Sequence, residues 1–144
     1  MKKLIPFIFI ALTTLFVNCG DDSGDVKTGG NGPNTPAENT FNVSNSGTSA
    51  YIFTGNGLSN NSNPSLTLTK GVTYTFIINA TGHPFWINQT QGTGTSNAYS
   101  SGVTGNGTAS GTITFTVPND APATLFYNCQ IHASMTGTIT IVSP

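Results

Sequence analysis

"TLFYNCQIHASMTGTITIV", residues 124–142, decides how this chain is read. At its start the side chains alternate, with Leu125, Tyr127 and Cys129 sharing one face; towards its end Ile139 and Ile141 do the same. A period of two marks a half-buried strand, whereas a helix would place apolar residues three and four apart. The stretch therefore predicts two strands joined by a short loop. Cys129, His132 and Met135 fall within seven positions at that junction, and strand parity turns the thiol towards the core.

The same period runs outward through the chain. "LTLT" puts Leu66 and Leu68 on one face, "VTYTFII" does so with Tyr74, Phe76 and Ile78, and "TITFTV" with Ile113, Phe115 and Val117. Shorter runs stand at Phe41–Val43 and Tyr51–Phe53, and "TGNG", "NSNP", "TKG", "ATGHP" and "PNDAP" supply turns between them. No amphipathic stretch is long enough for a helix. Seven or eight short strands from residue 40 to residue 144 predict an all-β antiparallel β-sandwich of two sheets. Residues 88–111, "NQTQGTGTSNAYSSGVTGNGTASG", show little strand pattern and are expected as a long surface excursion.

The N-terminal residues read as delivery. Met1-Lys2-Lys3 and the apolar "LIPFIFIALTTLFV" have the form of a secretory signal, too short for a convincing membrane span. The run ends in "LFVNC", which resembles the lipobox of bacterial lipoproteins. That resemblance implies a lipoprotein signal peptide over 1–18, lipidation of Cys19, and a membrane anchor in the cell envelope, facing the periplasm or the cell surface. Asn18 departs from the small residue usual before such a cysteine, and "GDDSGD" is similar to acidic export signals of surface lipoproteins. Residues 19–39, rich in Gly, Pro, Asn and acids, cannot bury enough surface to offset ordering entropy. They are expected as a tether with a reach of about 25 Å.

Composition excludes much. Only 6% of the residues are charged and the net charge is −1, so there is no basic footprint for nucleic acid. From Thr40 to Pro144 the fixed charges are Lys70 and Asp120 alone, and the histidines are His83 and His132. General acid–base hydrolysis needs a pair of carboxylates or a carboxylate set against a base, and the domain has one acid. A cysteine nucleophile at Cys129 would also need an orienting third group and an exposed thiolate. The chain is therefore not expected to be an enzyme.

With Cys19 carrying lipid, Cys129 has no partner within the chain, and an inward unpaired thiol in an oxidising compartment suggests a specific task. Taken one at a time, the residues also read as a small buried hydrophobe at Cys129, a turn residue at His132 and a core filler at Met135. Together, a thiolate, imidazoles and a weak thioether form the donor set of electron-transfer copper. His83, in "NATGHPFWIN", is the sole other imidazole, and a regular strand there puts it on the face of Phe85 and Ile87. Structural zinc fits less well, because one Cys and two His leave a closed site incomplete and a thioether binds zinc poorly.

"YNCQIHASMTGTITI" resembles the ligand loop of cupredoxins, the type 1 or blue copper proteins, in the short C-x2-H-x2-M form similar to that of amicyanin. "LTLTKGVTYTFIINATGHPFWI" is similar to the strand and loop that carry the first histidine ligand in that family. The likeness spans residues 40–144. It implies a cupredoxin-like Greek-key sandwich, one copper ion held by His83, Cys129, His132 and Met135, and single-electron exchange with a redox partner protein. Many cupredoxins carry Asn after the first histidine to brace the thiolate; here Pro84 stands there, so that bracing is expected from elsewhere. With few charges to steer association, partner docking is expected on an apolar patch of Pro84, Phe85, Ile131 and Ala133. Copper storage, delivery or resistance is one alternative, and a surface β-sandwich module without metal is another.

Overall fold

The alternating runs form the strands they predict. The structure, a computed structural model, describes residues 38–144. The signal peptide, the Cys19 lipidation site and nearly all of the tether lie outside the described residues. Within them are ten strands and no helix: β1 (Thr40–Ser46), β2 (Ala50–Gly55), β3 (Leu58–Ser62), β4 (Leu66–Thr69), β5 (Thr73–Asn79), β6 (Phe85–Asn88), β7 (Val103–Thr104), β8 (Ser110–Thr116), β9 (Thr124–Cys129) and β10 (Thr136–Val142). They build two sheets, one in the order β3-β2-β1-β5-β8-β7 and one in the order β4-β10-β9-β6. The all-β sandwich is thus present. Most pairings are antiparallel, but β1 runs parallel to β5 and β10 runs parallel to β4. Between each parallel pair the chain passes through the other sheet, so the returning strand arrives from the same end.

Three strands lacked a clear pattern in the sequence, for three physical reasons. Polar β3 is exposed along nearly its whole length, and pairing holds it there. Asn56 and Gly57, with φ of 47° and 84°, turn the chain back onto β2 in the two-residue hairpin that Asn-Gly favours. Buried β6 has only four residues, too few to show a period. Short β7 sits inside the expected excursion, which is packed rather than free. Tyr99 there is buried. The Asn106 amide accepts from the Ile87 N–H at 2.8 Å and donates to the Ile87 and Tyr99 carbonyls. Gly107 lies flat on the Trp86 indole, where an added Cβ would fall 2.2 Å from the ring.

Between the sheets lies an aromatic core centred on Phe85, fully buried. Its ring stacks on Tyr127 at 5.3 Å and meets Tyr51 at 5.0 Å edge-on, with Phe53 and Phe76 beyond. Such offset and edge contacts add to the burial energy of each ring. This location corrects one expectation: Phe85 belongs to the core and contributes nothing to a docking surface. Phe85→Ala should lower the unfolding free energy by about 3–5 kcal/mol, the range for buried aromatics truncated to alanine. Urea denaturation monitored by Trp86 fluorescence measures it; a loss below about 1 kcal/mol would contradict the packing.

Candidate metal centre

Two loops at one end of the sandwich converge. The first follows β5. Ala80 accepts from the His83 N–H at 2.8 Å across a turn whose third residue, Gly82, has a φ of 82°, the conformation that a type II turn reserves for glycine. The turn delivers His83 just before β6. The second loop joins β9 to β10. Cys129 ends β9, the Met135 N–H bonds the His132 carbonyl at 3.1 Å, and the Cys129 N–H bonds the Met135 carbonyl at 2.8 Å. These bonds wind the loop tightly back on itself.

The two loops are fixed to each other by the β6–β9 ladder, in which Phe85 pairs with Cys129. One step further, the Gln130 N–H donates to the Pro84 carbonyl at 3.0 Å. Proline at 84 gives up a donor, but its carbonyl still ties the histidine loop to the cysteine loop.

The result is a cluster of three donors. His83 Nδ1 and His132 Nδ1 are 3.1 Å apart, and Cys129 Sγ lies 4.0 Å from the first and 3.7 Å from the second. Cys129 is a free cysteine and fully buried, His83 is buried, and His132 is half-buried. Met135 is fully buried and joined to Cys129 through the backbone. Of the four expected residues, His83, Cys129 and His132 are drawn together around one point, and Met135 is buried in the loop that carries the last two.

The donors fit a metal ion. A triangle with those three sides has a circumscribed radius of about 2.1 Å, close to bond lengths of about 2.0–2.1 Å to imidazole nitrogen and 2.3 Å to thiolate sulfur. All three would therefore be able to hold one ion together, as the His2Cys donor set of a copper site requires. Two ring nitrogens 3.1 Å apart otherwise need a proton between them, and a protein interior rarely gathers three acceptor-capable atoms without a cation or proton to share.

The surroundings hold this set in place. The Ile131 N–H points to Cys129 Sγ at 3.5 Å, the sulfur contact that Pro84 cannot supply. Fully buried Tyr51 donates its hydroxyl to the His83 carbonyl at 2.8 Å. Burial first, and then the nearby Cys129 sulfur, push the Tyr51 phenol far above its ordinary value, so it remains a neutral donor. Trp86 donates its indole N–H to the Gln130 side chain at 3.2 Å, steadying the residue after the cysteine. Tyr51 and the Ile131 amide were not legible as site residues, since a tyrosine in a strand reads as core and a backbone amide has no letter of its own.

Comparison with known proteins gives loose likenesses. No family model matches the chain, and no curated protein matches it. Among solved structures, a rusticyanin variant overlaps at 25% identity over 72% of this chain and 76% of its own, with a TM-score of 0.47. Rusticyanin from Thiobacillus ferrooxidans overlaps at 26% identity over the same shares, with a TM-score of 0.46. A multicopper oxidase from Campylobacter jejuni overlaps at 13% identity over 72% of this chain and 25% of its own, with a TM-score of 0.39. At these scores the overlaps say nothing about the site, whose chemistry is read from its own donors.

Tyr51→Phe removes the hydroxyl and leaves the His83 carbonyl buried without a partner. The unfolding free energy should fall by about 1–3 kcal/mol. Chemical denaturation of the metal-free domain checks this.

Proposed function

We propose that the domain binds one copper ion as a type 1 centre and carries single electrons outside the cytoplasm. The single observation behind this is the His83–Cys129–His132 triangle, with Cys129 and His83 buried, His132 half-buried, and the whole sized for one ion. Bound copper would supply a one-electron couple between Cu(I) and Cu(II). The remaining roles belong to the chain. Cys129 gives a thiolate, softened by the Ile131 N–H, and His83 and His132 present Nδ1. Met135 would supply a weak thioether contact, in keeping with the C-x2-H-x2-M resemblance to cupredoxin loops. Strand ends and hydrogen bonds pin both loops, so the same donor positions serve both oxidation states and little reorganisation opposes transfer.

The redox partner, a protein, docks in this proposal where His132 reaches the surface. Ile131 is 60% exposed beside it, Ala133 is exposed and Pro84 half-buried. Cys19 lipidation would hold the domain to a membrane in the cell envelope, facing periplasm or cell surface, a reading that rests on the sequence pattern alone. With Lys70 and Asp120 as its only fixed charges from residue 40 onward, the domain is better suited to carrying electrons than to hydrolytic catalysis. Copper delivery is the second reading, favoured by the half-buried position of His132 beside exposed Ile131 and Ala133, through which an ion would exchange.

Three outcomes test this. Reduced domain loaded with Cu(II) should show an intense thiolate-to-copper visible band that disappears in Cys129→Ala; no band in the unmodified domain would falsify the blue-copper assignment. A reversible couple with fast self-exchange marks a carrier, whereas ready loss of copper to a chelator marks delivery. The rate of electron exchange with the partner should change by less than about threefold between low and high salt, because little charge steers the encounter.

A further inference from the structure

Asn63, in the turn between β3 and β4, has a φ of 44° and directly precedes Pro64. A residue before proline is driven towards extended backbone, and a left-handed asparagine there is strained. Such a conformation survives only where neighbouring groups hold it. Here the Asn63 N–H donates to the Tyr51 carbonyl at 2.9 Å, while its side-chain oxygen accepts from the Tyr51 N–H at 2.9 Å. That leaves the side-chain NH2, which donates to the Ser134 carbonyl at 2.8 Å.

Ser134 lies between His132 and Met135. Its own hydroxyl donates to the Thr48 carbonyl at 2.8 Å, so the loop is tied twice to the β1–β2 side of the sandwich. Tyr51, gripped by Asn63 at its backbone, reaches the His83 carbonyl with its hydroxyl. The Asn63–Tyr51 pair therefore touches both donor-bearing segments, one at each end. The turn itself would not need this arrangement, since glycine takes left-handed backbone without strain.

We propose that Asn63 is the positioning residue of the metal centre. Its amide fastens the Cys129–Met135 loop to Tyr51, whose hydroxyl fastens His83, so the donor triangle is set before any ion arrives. This rests on the metal-binding reading above, but its first test does not need metal.

Asn63→Gly keeps the turn without strain and removes both side-chain bonds. Asn63→Asp keeps the acceptor for the Tyr51 N–H and loses only the donor to Ser134. In the metal-free domain, hydrogen exchange of the Cys129 and Met135 amides should quicken about five- to tenfold in both variants, the factor one lost hydrogen bond produces. Amides of β5 and β8 should exchange as before. With Cu(II), the visible band and the copper hyperfine splitting should shift in both variants. Unchanged loop exchange, or equal acceleration in β5 and β8, would overturn the proposal, leaving Asn63 as a turn or general stability residue. If the unmodified domain takes no copper, the metal reading fails while the exchange experiment still decides the clamp.

Discussion

The pairing of Phe85 with Cys129 is the constraint on which the centre depends. It sets β6 beside the end of β9, so that residues two before Phe85 and three after Cys129 meet at the same edge. A slip of one residue would either turn Cys129 outward or send the Phe85 ring, the middle of the aromatic core, into solvent. The hydrophobic core and the donor cluster thus specify one register together. The packing of Phe85 against Tyr51, Phe53, Phe76 and Tyr127 does more than stabilise the sandwich; it holds two loops in mutual alignment.

Scarcity of charge gives the cluster its chemical direction. A thiolate buried among Phe85, Met135 and the aromatic rings has no lysine or arginine to balance it, because Lys70 is the only basic residue of fixed charge from residue 40 onward. Burying such a charge uncompensated costs several kcal/mol or more. A neutral thiol or a bound cation resolves the conflict, and two imidazole nitrogens aimed at the same point favour the cation. The clustered donors are one soft sulfur and two borderline imidazoles, the set on which the proposed copper assignment rests.

Strand parity made much of this legible beforehand. Alternation at Tyr74, Phe76 and Ile78, and at Leu125, Tyr127 and Cys129, placed the core residues and turned the thiol inward, as observed. The spacing of Cys129 and His132 marked two of the three side chains that cluster, and His83 followed as the remaining imidazole. What escaped were features fixed by partners rather than by composition. Strand β3 is held by a turn and a neighbour; the segment after Asn88 is packed by the Asn106 amide; the parallel pairings follow from crossings between sheets. Phe85 was named for the docking patch although the face it shares with Ile87 already pointed to the core, where the structure buries it.

The site also divides its labour between a rigid wall and an open edge. His83 is buried, capped by Tyr51 and enclosed by the β6–β9 ladder, so this side of the centre can move only if the core moves. His132 lies on the hairpin between β9 and β10, with exposed neighbours at Ile131 and Ala133. On the proposed reading, an electron would leave through half-buried His132, while an ion leaving by the same side would first have to break the bonds that wind the loop. Speed for electrons and retention for a metal would then be compatible at this edge only if the loop stays closed. The hydrogen bonds that tie Ser134, which sits between His132 and Met135, to Asn63 and Thr48 are what would keep it so.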